Sequence, residues 1–281
     1  MVGRRCGRWG AALAALTGLG ATLVCTLGGC VATRTSTTGS PAGDPLLTVR
    51  QAAEVLERAG TSRTRTVVRT VSGGTRVTIK GTGVFDYRRR IGRIQVTLPR
   101  EPSGAPAAEP ITELVIPGAL YMKNRGAGVP AGKWVRVDTS TLPDGNLLAN
   151  GATDPLSAAE LLRGTREVAY VGRRRVADGA VVRHYSGTTD IRKAAHASSG
   201  GVRRQLRAAA EGFAGDAVPF DAYLDGRGRL REVRHWFTLD AEAGDAASAV
   251  ASTTTMYDFG IPVEVGTPAP VDLYTGEIEA S

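Results

Sequence analysis

Apolar and polar positions alternate with a period of two along most of this chain, and only a few short stretches carry the wider helical spacing. Residues 64–71 and 75–82 flank Ser72-Gly73-Gly74, which predicts two strands joined by a tight turn. Residues 83–87 and 91–98 follow as strands, and in the second Ile94, Val96 and Leu98 alternate with Gln95 and Thr97. Residues 112–116 and 119–123 read as a hairpin across Pro117-Gly118, and residues 133–138 as a further strand with Trp134 on one face. Residues 166–177 and 180–188 flank Asp178-Gly179, a pair suited to a type I′ turn. Residues 218–224 and 230–239 flank Asp225-Gly226-Arg227-Gly228, and residues 248–259 form a last strand.

Helical spacing is confined to four places. Val49, Ala52, Ala53, Leu56 and Ala59 recur on one face between residues 47 and 59, opposite Arg50, Glu54, Glu57 and Arg58, and Gly60 stops the helix. Asp154 as cap, Pro155 at the first position and Gly164 at the end define a short helix. Residues 191–195 and 202–210 complete the set, with the break at Ser198-Ser199-Gly200-Gly201. Helices do not alternate with single strands, so the pattern excludes a parallel α/β fold. It predicts an α+β domain over residues 46–281, built on a large antiparallel sheet packed against a few helices, long enough to bury a sizeable core.

The first 45 residues follow different rules. Arg4, Arg5 and Arg8 precede an uncharged stretch whose apolar centre begins at Ala11 and ends in Leu27-Gly28-Gly29-Cys30. A basic start, a short apolar centre and small residues before a cut define a signal peptide over residues 1–29. Leu-Gly-Gly-Cys resembles the bacterial lipobox, in which the cysteine thiol takes a diacylglyceryl group and becomes the new N-terminus. Lipidation of Cys30 then anchors the chain in the bilayer, since two acyl chains at about 0.8 kcal/mol per buried CH₂ hold where one does not. Residues 30–45, rich in Thr, Ser, Gly and Pro, form a tether of roughly 20–24 Å reach. Arg4-Arg5 leaves the general and twin-arginine export routes both open.

Composition narrows the chemistry. Hydrophobic residues at 42% and charged residues at 22% describe a globular chain rather than a disordered one. With only 3 Trp, 7 Tyr and 5 Phe, the core is aliphatic. The formal charge of +8 falls to +5 once the three leader arginines are removed, and no nucleic-acid module accompanies it, so nucleic acid is not an expected partner. The three cysteines, Cys6, Cys25 and Cys30, all precede the body, which excludes a disulfide framework or a cysteine metal site there. His184, His196 and His235 lack metal-ligand spacing and read as surface histidines of the sheet or a helix end. Gly81-Thr82-Gly83 and Gly126-Ala127-Gly128 complete no nucleotide-binding fingerprint and read as turns. Asp86, Asp138, Asp190 and Asp221 mostly sit at predicted strand ends, where turn and cap roles are common. No catalytic residue, metal site or cofactor is expected, and the chain is not expected to be an enzyme.

What the strands offer is apolar surface that must be covered. By alternation, the candidate wall of a ligand cleft is Val77, Ile79, Ile94, Val96, Leu98, Leu114, Ile116, Leu120, Met122 and Val135, with a closed core built from the same residues as the alternative. Three stretches then align with a known group: Leu120-Tyr121-Met122-Lys123 with Gly132 to Asp138; Val171-Gly172 to Val176 with Asp178-Gly179, His184-Tyr185 and Asp190; and Val218 to Asp225 with Gly228-Arg229-Leu230. With Cys30 and the closing Tyr257-Asp258-Phe259-Gly260-Ile261-Pro262-Val263, the chain resembles actinobacterial lipoproteins of the LppX/LprA/LprF/LprG type, whose fold is similar to LolA. The resemblance implies a half-barrel sheet wrapped against helices, lipid or glycolipid acyl chains in its cavity, and a place on the extracytoplasmic face of the cell membrane. A second reading is an envelope sensor or interaction lipoprotein that binds a protein partner, and a third is a purely structural lipoprotein.

Overall fold

The computed structural model describes residues 43–99, 109–126, 128–142, 144, 147–148, 154–198, 200–239 and 248–276. The signal peptide, Cys30 and nearly all of the tether lie outside the described residues. Eleven strands form one sheet: β1 (Thr61–Ser72), β2 (Thr75–Asp86), β3 (Ile91–Thr97), β4 (Ile111–Ile116), β5 (Ala119–Lys123), β6 (Trp134–Asp138), β7 (Thr165–Arg175), β8 (Val181–Asp190), β9 (Ala217–Leu224), β10 (Leu230–Leu239) and β11 (Ser248–Tyr257). Their order is β6-β5-β4-β3-β2-β1-β11-β10-β9-β8-β7, antiparallel throughout. β6 and β7 are its edges, so the sheet is open, as expected of a half-barrel rather than a closed barrel. Two runs of hairpins, β1 to β6 and β7 to β11, meet where the first strand pairs the last, Arg63 opposite Tyr257 through Val71 opposite Ala249.

Among the described residues five α-helices accompany the sheet: α1 (Pro45–Arg50), α2 (Ala52–Ala59), α3 (Pro155–Leu161), α4 (Ile191–Ala197) and α5 (Gly200–Gly212). The first predicted helix is two, separated at Gln51, and Asp44 caps α1 by accepting from Leu46 N. Asp154 caps α3 as expected, with Pro155 at the first position. Asp190 ends β8 and caps α4 through Lys193 N at 2.7 Å. α1–α3 bury residues such as Val49, Ala52, Leu56, Leu156 and Ala159 with Phe85, Ile94, Val96, Leu120 and Val233, while α4 and α5 pack with Val68, Val218, Phe237 and Val250. Both clusters use one face of the sheet, called the inner face below.

Two local expectations are corrected. Gly81-Thr82-Gly83 is not a turn: it lies within β2, which runs unbroken through both predicted strands. A Cβ at Gly83 would fall 2.1 Å from the Arg93 carbonyl oxygen, so only glycine fits mid-strand there. Asp178-Gly179 does not form a type I′ turn, which needs positive φ at both residues. Only Gly179 has it, at +83°, and Val176 N donates to Ala180 O at 3.0 Å, so the connection is a longer loop with glycine in its left-handed position.

Candidate functional site

Register assigns every strand residue to a face. In β3, Ile94 lies opposite Gly83 on one side and Glu113 on the other, and Val96 opposite Gly81 and Ile111. Met122 opposes Glu113 and Val135, and Leu120 opposes Val115 and Val137. Ile94, Val96, Leu120, Met122 and Val135 are therefore neighbours on the inner face, each buried. Ile79 lies further along that face opposite Val68 and packs at the edge of the core, and Val77, opposite Thr70, is half-buried near the β1–β2 turn. Leu98 lies past the end of β3 and is 39% exposed.

Leu114 and Ile116 do not join this wall. Leu114 opposes Arg93 and Tyr121, which puts both β4 residues on the outer face. There they pack with Tyr121, Trp134, Val265 and Leu273, beneath the C-terminal segment, which is tied down by Tyr274 N donating to Trp134 O at 2.9 Å. Alternation misplaces them because β4 is covered on both faces, so its apolar residues follow no single phase.

The inner-face residues are closed over by the helices. Rim contacts are polar: Arg50 donates to the Thr165 carbonyl at 2.6 and 3.0 Å, Arg90 to Glu57 at 2.7 Å and Arg88 to the Arg58 carbonyl at 2.9 Å. Between them the contact is mostly apolar, with the Thr189 hydroxyl donating to the Leu161 carbonyl, and on the helix side it includes the small residues Ala52, Ala53, Ala158 and Ala159. A cleft of about 50 Å³ opens on this seam beside Arg90, Val115, Pro117, Leu156, Val202 and Gln205. Larger hollows lie on the outer face, about 440 Å³ beside Arg65, Asp178 and Tyr257 and about 290 Å³ beside Arg69, Arg234 and Trp236.

Sequence reasoning missed the polar residues of the inner face. Thr64 and Thr66 share the phase of Val68 in β1, and Thr254 shares that of Val250 and Met256 in β11. Their alternation with Arg63, Arg65 and Arg69 was the available signal, because arginine takes the wet side and leaves threonine inside. His235 is not a surface residue: it is 1% exposed and packs near Phe220 and Phe237, and burial pushes its pKa down to about 3, so it stays neutral. His184 is the outer-face histidine, bonded to Asp221 at 2.9 Å, and His196 is exposed on α4. Glu113, 1% exposed, is pushed up to about 8 by burial, with Arg125 opposing. Burial also raises Asp154, against hydrogen bonds from Ser157 and Leu156. Among the described residues no group of His, Cys, Asp and Glu is placed to hold a metal ion, and no helix is long and apolar enough to cross a membrane.

An open antiparallel sheet with one face under short helices defines the class of the fold. No family model matches the chain, and no curated protein does either. Solved structures similar to it include the lipoprotein LppX of Mycobacterium tuberculosis, at 16% identity and a TM-score of 0.46, covering 80% of this chain and 100% of that one. LprF from Mycobacterium bovis follows at 16% and 0.40, covering 81% and 100%. A LolA superfamily protein from Nitrosomonas europaea gives 10% and 0.33, covering 78% and 96%. LppX and LprF are of the group that the sequence resembles, and the third neighbour is of the LolA superfamily.

Proposed function

We propose that this chain is a lipoprotein held on the extracytoplasmic face of the membrane by acylated Cys30, and that the seam between its inner sheet face and its helices takes the acyl chains of a lipid or glycolipid. The observation that carries the reading is the seam itself: a largely apolar layer contact, with arginine hydrogen bonds at its rim, over a sheet whose backbone hydrogen bonds do not depend on it. An acyl chain entering there exchanges apolar contact for apolar contact and breaks no ladder. The cleft of about 50 Å³ is small beside the roughly 300–1,000 Å³ of a ligand pocket, so binding requires the helices to part from the sheet. The protein then acts as a binder or carrier and not as an enzyme, with the head group near the arginine rim.

The test is solvent extraction of the full chain purified in mild detergent, followed by mass spectrometry. One noncovalent lipid per chain, distinct from the acyl groups that stay on Cys30, is the expected result. Absence of such a lipid, together with failure to take up a fluorescent fatty acid, overturns the proposal.

A further inference from the structure

The middle of the inner face holds polar side chains where the fold needs none. Thr66 and Thr254 are directly opposed across β1 and β11, and Thr64 is two residues along β1. His235 lies on β10, whose Val233 is the partner of Thr254, so its ring belongs to the next row on the same face. Thr64 is 0% exposed, Thr66 0%, Thr254 1% and His235 1%. Among the described residues the three Oγ1 atoms and His235 Nε2 have no hydrogen-bond partner. On the other side of β1, Thr66 faces Gly81 and Thr64 faces Gly83, which add no side chain.

A structural role does not account for this set. Valine has the shape of threonine without the hydroxyl, and the same face uses Val68 on β1, Val233 on β10 and Val250 on β11. A buried hydroxyl without a partner destabilises the fold, so three of them side by side, together with an imidazole, await a partner from elsewhere. That partner is uncharged. The hydroxyls and the neutral imidazole offer no counter-charge, and Arg231 on the same strand as His235 is already engaged by Asp178 and the Met256 carbonyl.

We propose that this polar centre is a subsite for the ester groups of an acylglycerol, so that the seam selects lipids carrying uncharged hydrogen-bonding groups within an apolar body over plain hydrocarbon chains. The threonine hydroxyls donate to the ester carbonyl oxygens while the chains lie against Ile94, Val96 and Val233. The inference rests on the acyl-chain reading of the seam.

The experiment compares two fluorescent probes on the full chain in detergent: a diacylglycerol with one pyrene-labelled chain, and a pyrene-labelled alkane of matched carbon number. The wild type binds the ester probe about tenfold tighter or more. The double variant Thr66→Val with Thr254→Val narrows that ratio to about twofold, with Tm unchanged or raised because unpartnered hydroxyls have been removed. Equal binding of both probes by the wild type, or a preference that the double variant keeps, overturns the subsite and leaves the acyl-chain reading standing. A lowered Tm in the double variant also overturns it, since the hydroxyls are then bonded within the folded protein, ordered water included. Binding of neither probe overturns the acyl-chain reading itself.

Discussion

β3 and β4 lie side by side and obey different rules. In β3 the inner residues Gly92, Ile94 and Val96 are buried while Arg93, Gln95 and Thr97 are exposed. In β4, Ile111, Glu113, Leu114 and Val115 are all buried, because helices cover one face and the C-terminal segment covers the other. A strand with one wet face announces its orientation through its charged residues; a strand with none conceals it. The difference also separates two kinds of apolar contact. Inner-face burial faces the proposed ligand, whereas the cluster around Leu114 only fastens the tail.

The largest effect that tests this contrast comes from a charge placed in β3. Ile94→Asp, at a site 0% exposed, is expected to abolish folding, since an unpaired buried carboxylate costs several kcal/mol of a total of about 5–15 kcal/mol. Gln95→Asp, one residue on, should change stability by less than about 0.5 kcal/mol. Urea denaturation of the pair breaks the one-sided view of β3 if the two costs are alike. Ile94→Ala and Leu114→Ala should then each cost about 2–5 kcal/mol, but only the first should alter uptake of a fluorescent fatty acid. An equal change in uptake by both would erase the division between the two faces.

A smaller effect appears with pH. Glu113 is held protonated in the folded chain, with a pKa of about 8 against an ordinary 4.5, so the folded state binds the extra proton between those values. Stability should fall as pH rises through that window, with a slope approaching about 1.4 kcal/mol per unit, and Glu113→Gln should flatten it. His235 works in the opposite sense. Its pKa of about 3 lies below the ordinary 6.5, so its contribution is present above 6.5 and is lost as pH falls toward 3, and His235→Phe should remove that loss. Urea midpoints measured from pH 4 to 9 resolve the two slopes. The smallest effect is Thr97→Val on the exposed side of β3, expected within about 0.5 kcal/mol of the wild type.

Legibility in the sequence followed locality. Hairpins were readable where a glycine-bearing turn separates two alternating runs, as at Gly73-Gly74 and Gly118, and the helix start at Asp154-Pro155 was readable too, whereas the same pair at Asp44-Pro45, which starts α1, reads as tether because it follows a Thr, Ser and Gly run. Gly83 misled because a glycine demanded by the approach of the Arg93 carbonyl looks, in one dimension, like a glycine demanded by a turn. Five of the proposed wall residues, Ile94, Val96, Leu120, Met122 and Val135, fall together and buried on the inner face. Leu114 and Ile116 do not, because the segment that covers them is supplied from more than a hundred residues away. His235 could not be recognised as buried, since what hides it is the helix layer and not its own strand.

The pairing of β1 with β11 joins the beginning of the described chain to its end, and this sets the order in which the molecule can be made. Each run of hairpins can zip up from neighbouring residues, but β1 keeps one open flank until Ser248–Tyr257 has emerged. Assembly therefore has a late, slow step, the joining of two half-sheets over a long loop. During that interval the nascent strand is open to pairing with the wrong chain. Its alternation of Arg63, Arg65 and Arg69 with small hydroxyl residues makes it a poor template for stray association, and so the pattern that leaves the mature core partly polar also guards the unfinished one.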